Sequence, residues 1–118
     1  MSIYSLRCAI LKVAAGMLHI GRMKYVHRNL HAVAVLVGQH DVWKITGFFV
    51  AALMKNDEFK TDEGWKIRLD KKFPLKWTAP EAFQDGRFTV KSDVWSFGVL
   101  LAEIASRGEI PYPGEGAC

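Results

Sequence analysis

The residues most suited to chemistry are three consecutive polar residues, His27, Arg28 and Asn29, which lie between apolar neighbours in the segment YVHRNL. An amide such as that of Asn29 can hydrogen-bond a hydroxyl group, but it carries no negative charge and cannot take a proton. The same residue could instead cap a turn, as loop asparagines often do. For His27 we favour a packed core histidine over a catalytic one.

No other group of residues has the spacing of a metal or thiol site. Cys8 and Cys118 lie far apart and belong to no CxxC or Cys/His pattern. We therefore predict two free thiols in a reducing compartment, without zinc or a disulfide framework. Ligand spacing is also missing from the remaining histidines, which are His19, His31 and His40. The sequence has no signal-peptide pattern and no run of ~18 apolar residues, so we expect a cytoplasmic protein without a membrane span.

Length and composition are those of one globular domain. The chain has 118 residues, of which 50% are hydrophobic and 24% charged, a balance that argues against a disordered chain. Lys and Arg number 16 against 12 acidic residues, which gives a net charge of +4. Because no aromatic residues alternate with the basic ones, we favour a solvated surface over a nucleic-acid site. The denser basic run at residues 66–76 has the same interpretation, with contact to an anionic partner as the alternative.

An amphipathic helix is predicted at residues 5–20, with Gly21 as its stop. Its apolar residues recur at steps of three and four, and they are Leu6, Ile10, Val13, Met17 and Ile20. Two runs rich in β-branched residues, at 33–37 and 42–46, flank a turn at residues 38–41. This arrangement predicts a small β-hairpin.

The second half of the chain is predicted to contain an exposed loop and two helical segments. The loop covers the polar residues 55–72. A short helical turn is expected at residues 80–83, ending before Gly86. The clearest helix follows, with Ser92 or Asp93 as its cap and Gly108 as its left-handed stop. Since this helix is apolar nearly all round, we expect it to be buried on all sides.

A long ungapped stretch, KFPLKWTAPEAFQDGRFTVKSDVWSFGVLLAEI at residues 72–104, resembles tyrosine protein kinases, the Src-like members above all. It includes the Ala-Pro-Glu that closes the family's activation segment and the Asp-Val-Trp-Ser-Phe-Gly that begins the central helix of its C-terminal lobe. Upstream, YVHRNL is similar to the catalytic loop, and KITGFF at residues 44–49 falls in register with the Asp-Phe-Gly motif. Asn29 and Gly47 are 18 residues apart, which matches the family's register.

This resemblance implies the α+β protein kinase fold, of which the chain would form a mainly α part with a small β-hairpin. Residues 1–118 would be a partial kinase domain that contains the catalytic-loop region, the activation segment and the central helix. The N-terminal lobe and the last helices of the C-terminal lobe would be absent.

The positions that carry the family's chemistry are substituted in this sequence. Asn29 stands where the family has its catalytic aspartate, and we interpret it as a degraded base. Ala34 and Gly47 stand at the two magnesium-ligand positions, and neither side chain offers the oxygen that magnesium prefers. Phe59 stands where Src-like kinases carry the activating tyrosine, so no hydroxyl is available for phosphorylation.

Other positions match the family and imply architectural tasks. His27 would pack in the core, and Asp93 would tether the backbone of the catalytic loop. Arg28 would hold a phosphorylated loop in the family, but with Phe59 in place it has no phosphate to hold.

Four further matches lie in and before the Ala-Pro-Glu motif. Lys76 and Trp77 resemble the substrate-side loop, where a tyrosine substrate would lie. Pro80 and Glu81 belong to the motif itself, and Glu81 resembles the partner of an arginine in a later helix. Without that helix, we expect its site to open to water because an unpaired buried carboxylate is destabilising.

Three functions are consistent with these residues. The first is an inactive, pseudokinase-like lobe that binds a protein partner through exposed apolar surface, with no nucleic acid and no required cofactor. The second is an active ATP-dependent tyrosine kinase, for which family membership would imply ATP and Mg²⁺. The third is a truncated product without a settled function.

Overall fold

The structure is a computed structural model that describes residues 3–61, 75–108 and 111. Within these residues the chain forms helices α1 (Ile3–Arg22), α2 (Pro80–Asp85) and α3 (Val90–Ala105) and strands β1 (Tyr25–Val26), β2 (Val35–Val37), β3 (Trp43–Ile45), β4 (Ala52–Leu53), β5 (Phe59–Lys60) and β6 (Arg87–Phe88). Four 3₁₀ turns lie at Ala32–Ala34, Gln39–Asp41, Phe48–Val50 and Leu75–Trp77. The strands form three separate antiparallel pairs, β1–β4, β2–β3 and β5–β6. This mainly helical structure with small strand pairs confirms the predicted fold class.

Helix α1 is the predicted amphipathic helix, and its apolar face lies against β3 and α3. Val13 is 1% exposed and Ile20 is 9% exposed, as expected for that face. Gly21 is not the stop, because the helix continues to Arg22. A Cβ at Gly21 would lie at van der Waals distance, 3.4 Å, from Cγ2 of Val90, so Gly21 faces the start of α3. No helix in the described part of the chain is long and apolar enough to cross a membrane.

The predicted β-hairpin forms from β2 and β3, in the register Val35 opposite Ile45 and Val37 opposite Trp43. Its strands are shorter than the sequence runs that predicted them, because Ala34 belongs to the preceding 3₁₀ turn. Gly38 closes the hairpin by donating its N–H to the carbonyl of Val42 over 2.7 Å.

The predicted exposed loop at residues 55–72 is wrong in its first part, where β5 pairs with β6 in the register Phe59 opposite Phe88. The N–H of Thr61 extends this pair by donating to the carbonyl of Gly86 over 3.0 Å. Aromatic side chains that meet across two strands stabilise such a pair, a contact that no local polarity pattern reveals. Residues 62–72 lie outside the described residues, as do residues 66–74 of the basic run.

Helix α3 begins one turn earlier than predicted. Thr89 is its cap, and its hydroxyl accepts the N–H of Lys91 over 3.0 Å. Ser92 completes a capping box by accepting the N–H of Thr89 over 3.0 Å. Ser92 and Asp93 are therefore not the cap. The carboxylate of Asp93 is engaged with another segment, as described below.

The expectation that α3 is buried on all sides is also wrong. Leu100 is 0% exposed, whereas Val94 is 60% exposed and Trp95 is 44% exposed. One face of the helix packs on α1 and the Leu75–Trp77 turn. The opposite face remains open because the described residues supply no second layer against it.

Two buried clusters form the core. One is built around Val13, Leu30 and Leu100, and the hairpin residues Trp43 and Ile45 pack against it. The other joins the strand pairs to α2 through Val26, Met54, Ala79, Ala82 and Phe88. Among the described residues, the indole N–H of Trp43 is buried without a hydrogen-bond partner, although buried donors are normally paired.

The C-terminal end of α3 stores backbone strain at Arg107. The N–H of Gly108 donates to the carbonyl of Glu103 over 2.8 Å, and that of Arg107 donates to Ile104 over 3.1 Å. These two bonds define a Schellman motif whose left-handed residue is Arg107, with φ of 62°. The predicted stop at Gly108 is thus displaced by one residue.

Replacement of Arg107 by glycine should stabilise the protein. Glycine adopts positive φ without the Cβ penalty, so we expect Arg107→Gly to raise the free energy of unfolding by about 0.5–1 kcal/mol. Chemical denaturation measures the change. The control Arg107→Ala keeps the strain, and an equal gain in that variant would show that charge, and not backbone conformation, is responsible.

Candidate functional site

The carboxylate of Asp93, on the first turn of α3, fixes the backbone of the segment that contains His27 and Arg28. Its Oδ2 accepts the N–H of His27 over 2.8 Å, and its Oδ1 accepts the N–H of Arg28 over 3.2 Å. Asp93 is 7% exposed. Burial raises the pKa of this carboxyl to about 6, against the opposing effect of the two N–H groups and the Arg28 charge.

His27 is a structural histidine with both ring nitrogens engaged. Its Nδ1 accepts the N–H of Asn29 over 3.1 Å, so the ring proton lies on Nε2 and is donated to the carbonyl of Thr46 over 2.7 Å. Burial lowers the pKa of His27, the Thr46 carbonyl raises it, and the charge of His31 lowers it further. The ring is 0% exposed and meets Phe48 edge-on at 4.9 Å. The His27 ring therefore joins the segment that contains Asn29 to the segment that contains Thr46.

Asn29, Ala34 and Gly47 lie together in space. The amide Nδ2 of Asn29 donates to the carbonyl of Gly47 over 3.1 Å. A Cβ at Gly47 would lie 2.9 Å from that same Nδ2 and 3.4 Å from the Cβ of Ala34. Gly47 has φ of 77°, in the left-handed region that glycine adopts most readily. The three positions that sequence analysis linked to catalysis therefore form one cluster.

This cluster does not fit a magnesium–nucleotide site. Ala34 and Gly47 have no side-chain oxygen, and Asn29 offers at most one neutral amide oxygen. Magnesium in such sites is bound through carboxylates and phosphates. An aspartate at position 47 would need a strained backbone and would displace the Asn29 amide. In the described residues, no group of three or more His, Cys, Asp or Glu side chains could hold a metal ion.

Arg28 points away from this cluster, towards β5 and β6. Its Nε donates to the carbonyl of Val50 over 2.7 Å. The guanidinium carbon lies 4.7 Å from the ring centre of Phe59 and 4.9 Å from that of Phe88. Phe59 therefore contacts the very arginine that the family resemblance assigns to a phosphorylated loop.

Trp77 is joined to the same region through α3. Its indole N–H donates to Oε1 of Glu103 over 3.0 Å, and this oxygen also accepts the N–H of Ala32 over 3.0 Å. The ring of His31 packs on Trp77 at 5.3 Å, and the hydroxyl of Ser96 donates to the Trp77 carbonyl over 2.6 Å. The Leu75–Trp77 turn is thus anchored to the segment that follows Asn29.

The remaining predicted residues lie at the edge of this arrangement. Lys76 is half-buried in the same 3₁₀ turn as Trp77, and Pro80 begins α2. Glu81 is half-buried in the first turn of α2. It makes no side-chain hydrogen bond or ion pair within residues 3–61 and 75–108.

Sequence reasoning missed Thr46 and Glu103. Thr46 acts through its backbone carbonyl, which leaves no signal in the residue type. Glu103 did leave a signal, because a carboxylate near the C-terminal end of an apolar helix is unfavourable for the helix dipole and needs a compensating contact.

The chain belongs to the protein kinase family, since the model for protein tyrosine and serine/threonine kinases matches residues 1–117. It is 52% identical over 103 residues to tyrosine-protein kinase Fgr of Rattus norvegicus, and the match covers 87% of this chain and 19% of that protein. The Fgr of Mus musculus is 50% identical over the same length, with the same coverage. The chain thus spans about a fifth of these relatives, and the predicted Src-like resemblance is confirmed.

Asp93 should give the protein a measurable pH dependence. The folded state raises the pKa of Asp93 above the ordinary 3.8. The contribution of Asp93 to the free energy of unfolding is therefore fully present below pH 3.8 and is lost as pH rises through about 6. We expect wild type to lose on the order of 2–3 kcal/mol of unfolding free energy relative to Asp93→Asn between pH 4 and 7. The lowered pKa of His27 changes the free energy of unfolding in the opposite direction with pH. Because His27 is present in both wild type and Asp93→Asn, its effect cancels when the two free energies are subtracted. Denaturant titrations of both proteins between pH 4 and 7 measure this difference in unfolding free energy. A difference that does not change with pH would contradict the raised pKa of Asp93.

Proposed function

We propose that this chain is a catalytically inactive member of the kinase family that acts by binding a protein partner. The observation that supports inactivity is the contact between the Asn29 amide and the Gly47 carbonyl, beside Ala34. No proton acceptor and no carboxylate ligand is contributed by these three positions, so phosphoryl transfer lacks both the base and the charge neutralisation that it requires. ATP and Mg²⁺ are accordingly not cofactors. The free thiol of Cys8 fits a reducing compartment such as the cytoplasm.

The surface that supports partner binding is an apolar groove between α1 and α3. Leu18 on one wall is 55% exposed, and Val94 on the other is 60% exposed. The cavity between them has a volume of about 220 Å³ and is lined by Ala14, Met17, Leu18, Gly21, Val90, Asp93, Val94 and Phe97. Exposed apolar surface is typical of protein–protein interaction sites and also of aggregation-prone surfaces, and we propose the first for this groove.

An alternative proposal is ATP-dependent phosphoryl transfer to tyrosine. The names of the two relatives and the tether from Asp93 to the catalytic-loop backbone favour it. It requires a different general base and a different metal site from those at Asn29, Ala34 and Gly47.

A nucleotide test separates the two proposals. We expect the melting temperature to stay unchanged in millimolar Mg-ATP, whereas binding at a hundredfold excess over the dissociation constant would add about 2.7 kcal/mol. Radiolabelled γ-phosphate should not reach a tyrosine peptide from wild type or from Asn29→Asp, since restoring one carboxylate leaves positions 34 and 47 without ligands. A raised melting temperature together with labelled peptide would establish the alternative.

Charges introduced in the groove should abolish partner binding. We expect Leu18→Glu and Val94→Glu each to reduce recovery of the bound partner at least about tenfold, as loss of an apolar anchor costs 1.4 kcal/mol or more. Quantitative affinity purification measures recovery, with circular dichroism confirming that the variants fold. The matched control is Val33→Glu, at a side chain that is 77% exposed outside the groove. Equal recovery from all four proteins would exclude the groove as the binding surface.

A further inference from the structure

The guanidinium of Arg28 is buried against two aromatic rings that also contact each other. Arg28 is 8% exposed, and its charged carbon lies less than 5 Å from the ring centres of both Phe59 and Phe88. A buried cation needs compensating contacts. Aromatic faces provide them because the negative face of each ring attracts the charge, most strongly where water is excluded.

These contacts join segments that are distant in sequence. The rings belong to β5 and β6, which pair Phe59 with Phe88. The Nε of Arg28 reaches the carbonyl of Val50, and the backbone N–H of Arg28 reaches Asp93 on α3. One side chain thus ties the β5–β6 pair to the loop that follows Gly47 and to the helix that anchors the catalytic-loop backbone.

The conformation of Arg28 indicates that this arrangement is maintained at a cost. Its φ is 68°, in the left-handed region, which costs an arginine free energy that other contacts must offset. The bonds to Asp93 and Val50 and the two ring contacts are among the contacts that offset this cost.

We propose that Arg28, Phe59 and Phe88 form an aromatic clasp that keeps the β5–β6 pair closed on the catalytic-loop segment without a phosphate group. Phe59 is a positioning residue in this device. The ring at position 59 covers the guanidinium directly, so closure is built into the unmodified chain. The clasp requires no partner bound in the groove and no catalytic activity.

Hydrogen exchange of the full chain tests the clasp. The Thr61 amide, which donates to Gly86 across the β5–β6 pair, reports local opening, and the Leu100 amide in the core reports global unfolding. Phe59→Leu removes the aromatic face and keeps apolar bulk. We expect it to accelerate exchange at Thr61 by about 3- to 30-fold, with a smaller change at Leu100. Phe59→Tyr keeps the face and should exchange like wild type.

The matched control is Phe83→Leu, the same substitution at a side chain in α2 that is 38% exposed. It should leave Thr61 exchange unchanged. If Phe59→Leu accelerates Thr61 no more than Phe83→Leu does, or only in proportion to Leu100, the clasp is not what closes the pair.

A shape-preserving test covers the case in which Phe59→Leu fails to fold. Fluorinated phenylalanines at position 59 keep the ring shape while they weaken the negative face. We expect Thr61 exchange to accelerate stepwise with each added fluorine, and the NMR signal of the Arg28 Nε–H to shift in the same order. Exchange and shift that do not depend on fluorination would overturn the proposal.

Discussion

A single buried carboxylate connects the central helix of this structure to the loop on which the family's chemistry depends. Asp93 accepts two consecutive backbone N–H groups, from His27 and Arg28. Because these two N–H groups are held in place, the side chains of His27 and Arg28 leave the backbone in different directions. The imidazole reaches the carbonyl of Thr46, and the guanidinium reaches β5 and β6. Both sets of side-chain contacts depend on this tether, since a shift of the loop backbone would move the two side chains together.

Three of the departures from the family's pattern, at Asn29, Ala34 and Gly47, lie together in one cluster. Contacts that shape the loop are present, whereas the three residues expected to act on nucleotide and substrate are neutral. The neutral residues are also mutually compatible. The left-handed Gly47 presents its carbonyl to Asn29, and an amide can donate to it whereas an ionised carboxylate could not. The tether from Asp93 to the loop backbone and the side chains at positions 29, 34 and 47 are thus separate sets of groups.

Sequence patterns predicted the elements whose signals are local. The periodicity of α1 and the β-branched runs of the hairpin are of this kind, as is the spacing of Asn29 and Gly47. The wrong predictions concern positions where two residues could both cap the same helix, or where the structure depends on contacts between residues far apart in sequence. Thr89 and Ser92 both suit a helix cap, and only the capping box decides between them. The exposure of Val94 depends on what covers α3, and the position of Phe59 depends on Arg28 and Phe88, which are far away in sequence.

The unpaired indole of Trp43 has an optical consequence. Its N–H is buried beside the cluster of Val13, Leu30 and Leu100 and has no hydrogen-bond partner among the described residues. An excited indole emits at shorter wavelength when no polar group relaxes around its dipole. We therefore expect the emission of Trp43 to lie at shorter wavelength while the α1–hairpin core is assembled. The sequence contains three further tryptophans, so this signal reports the core in a variant that keeps Trp43 alone.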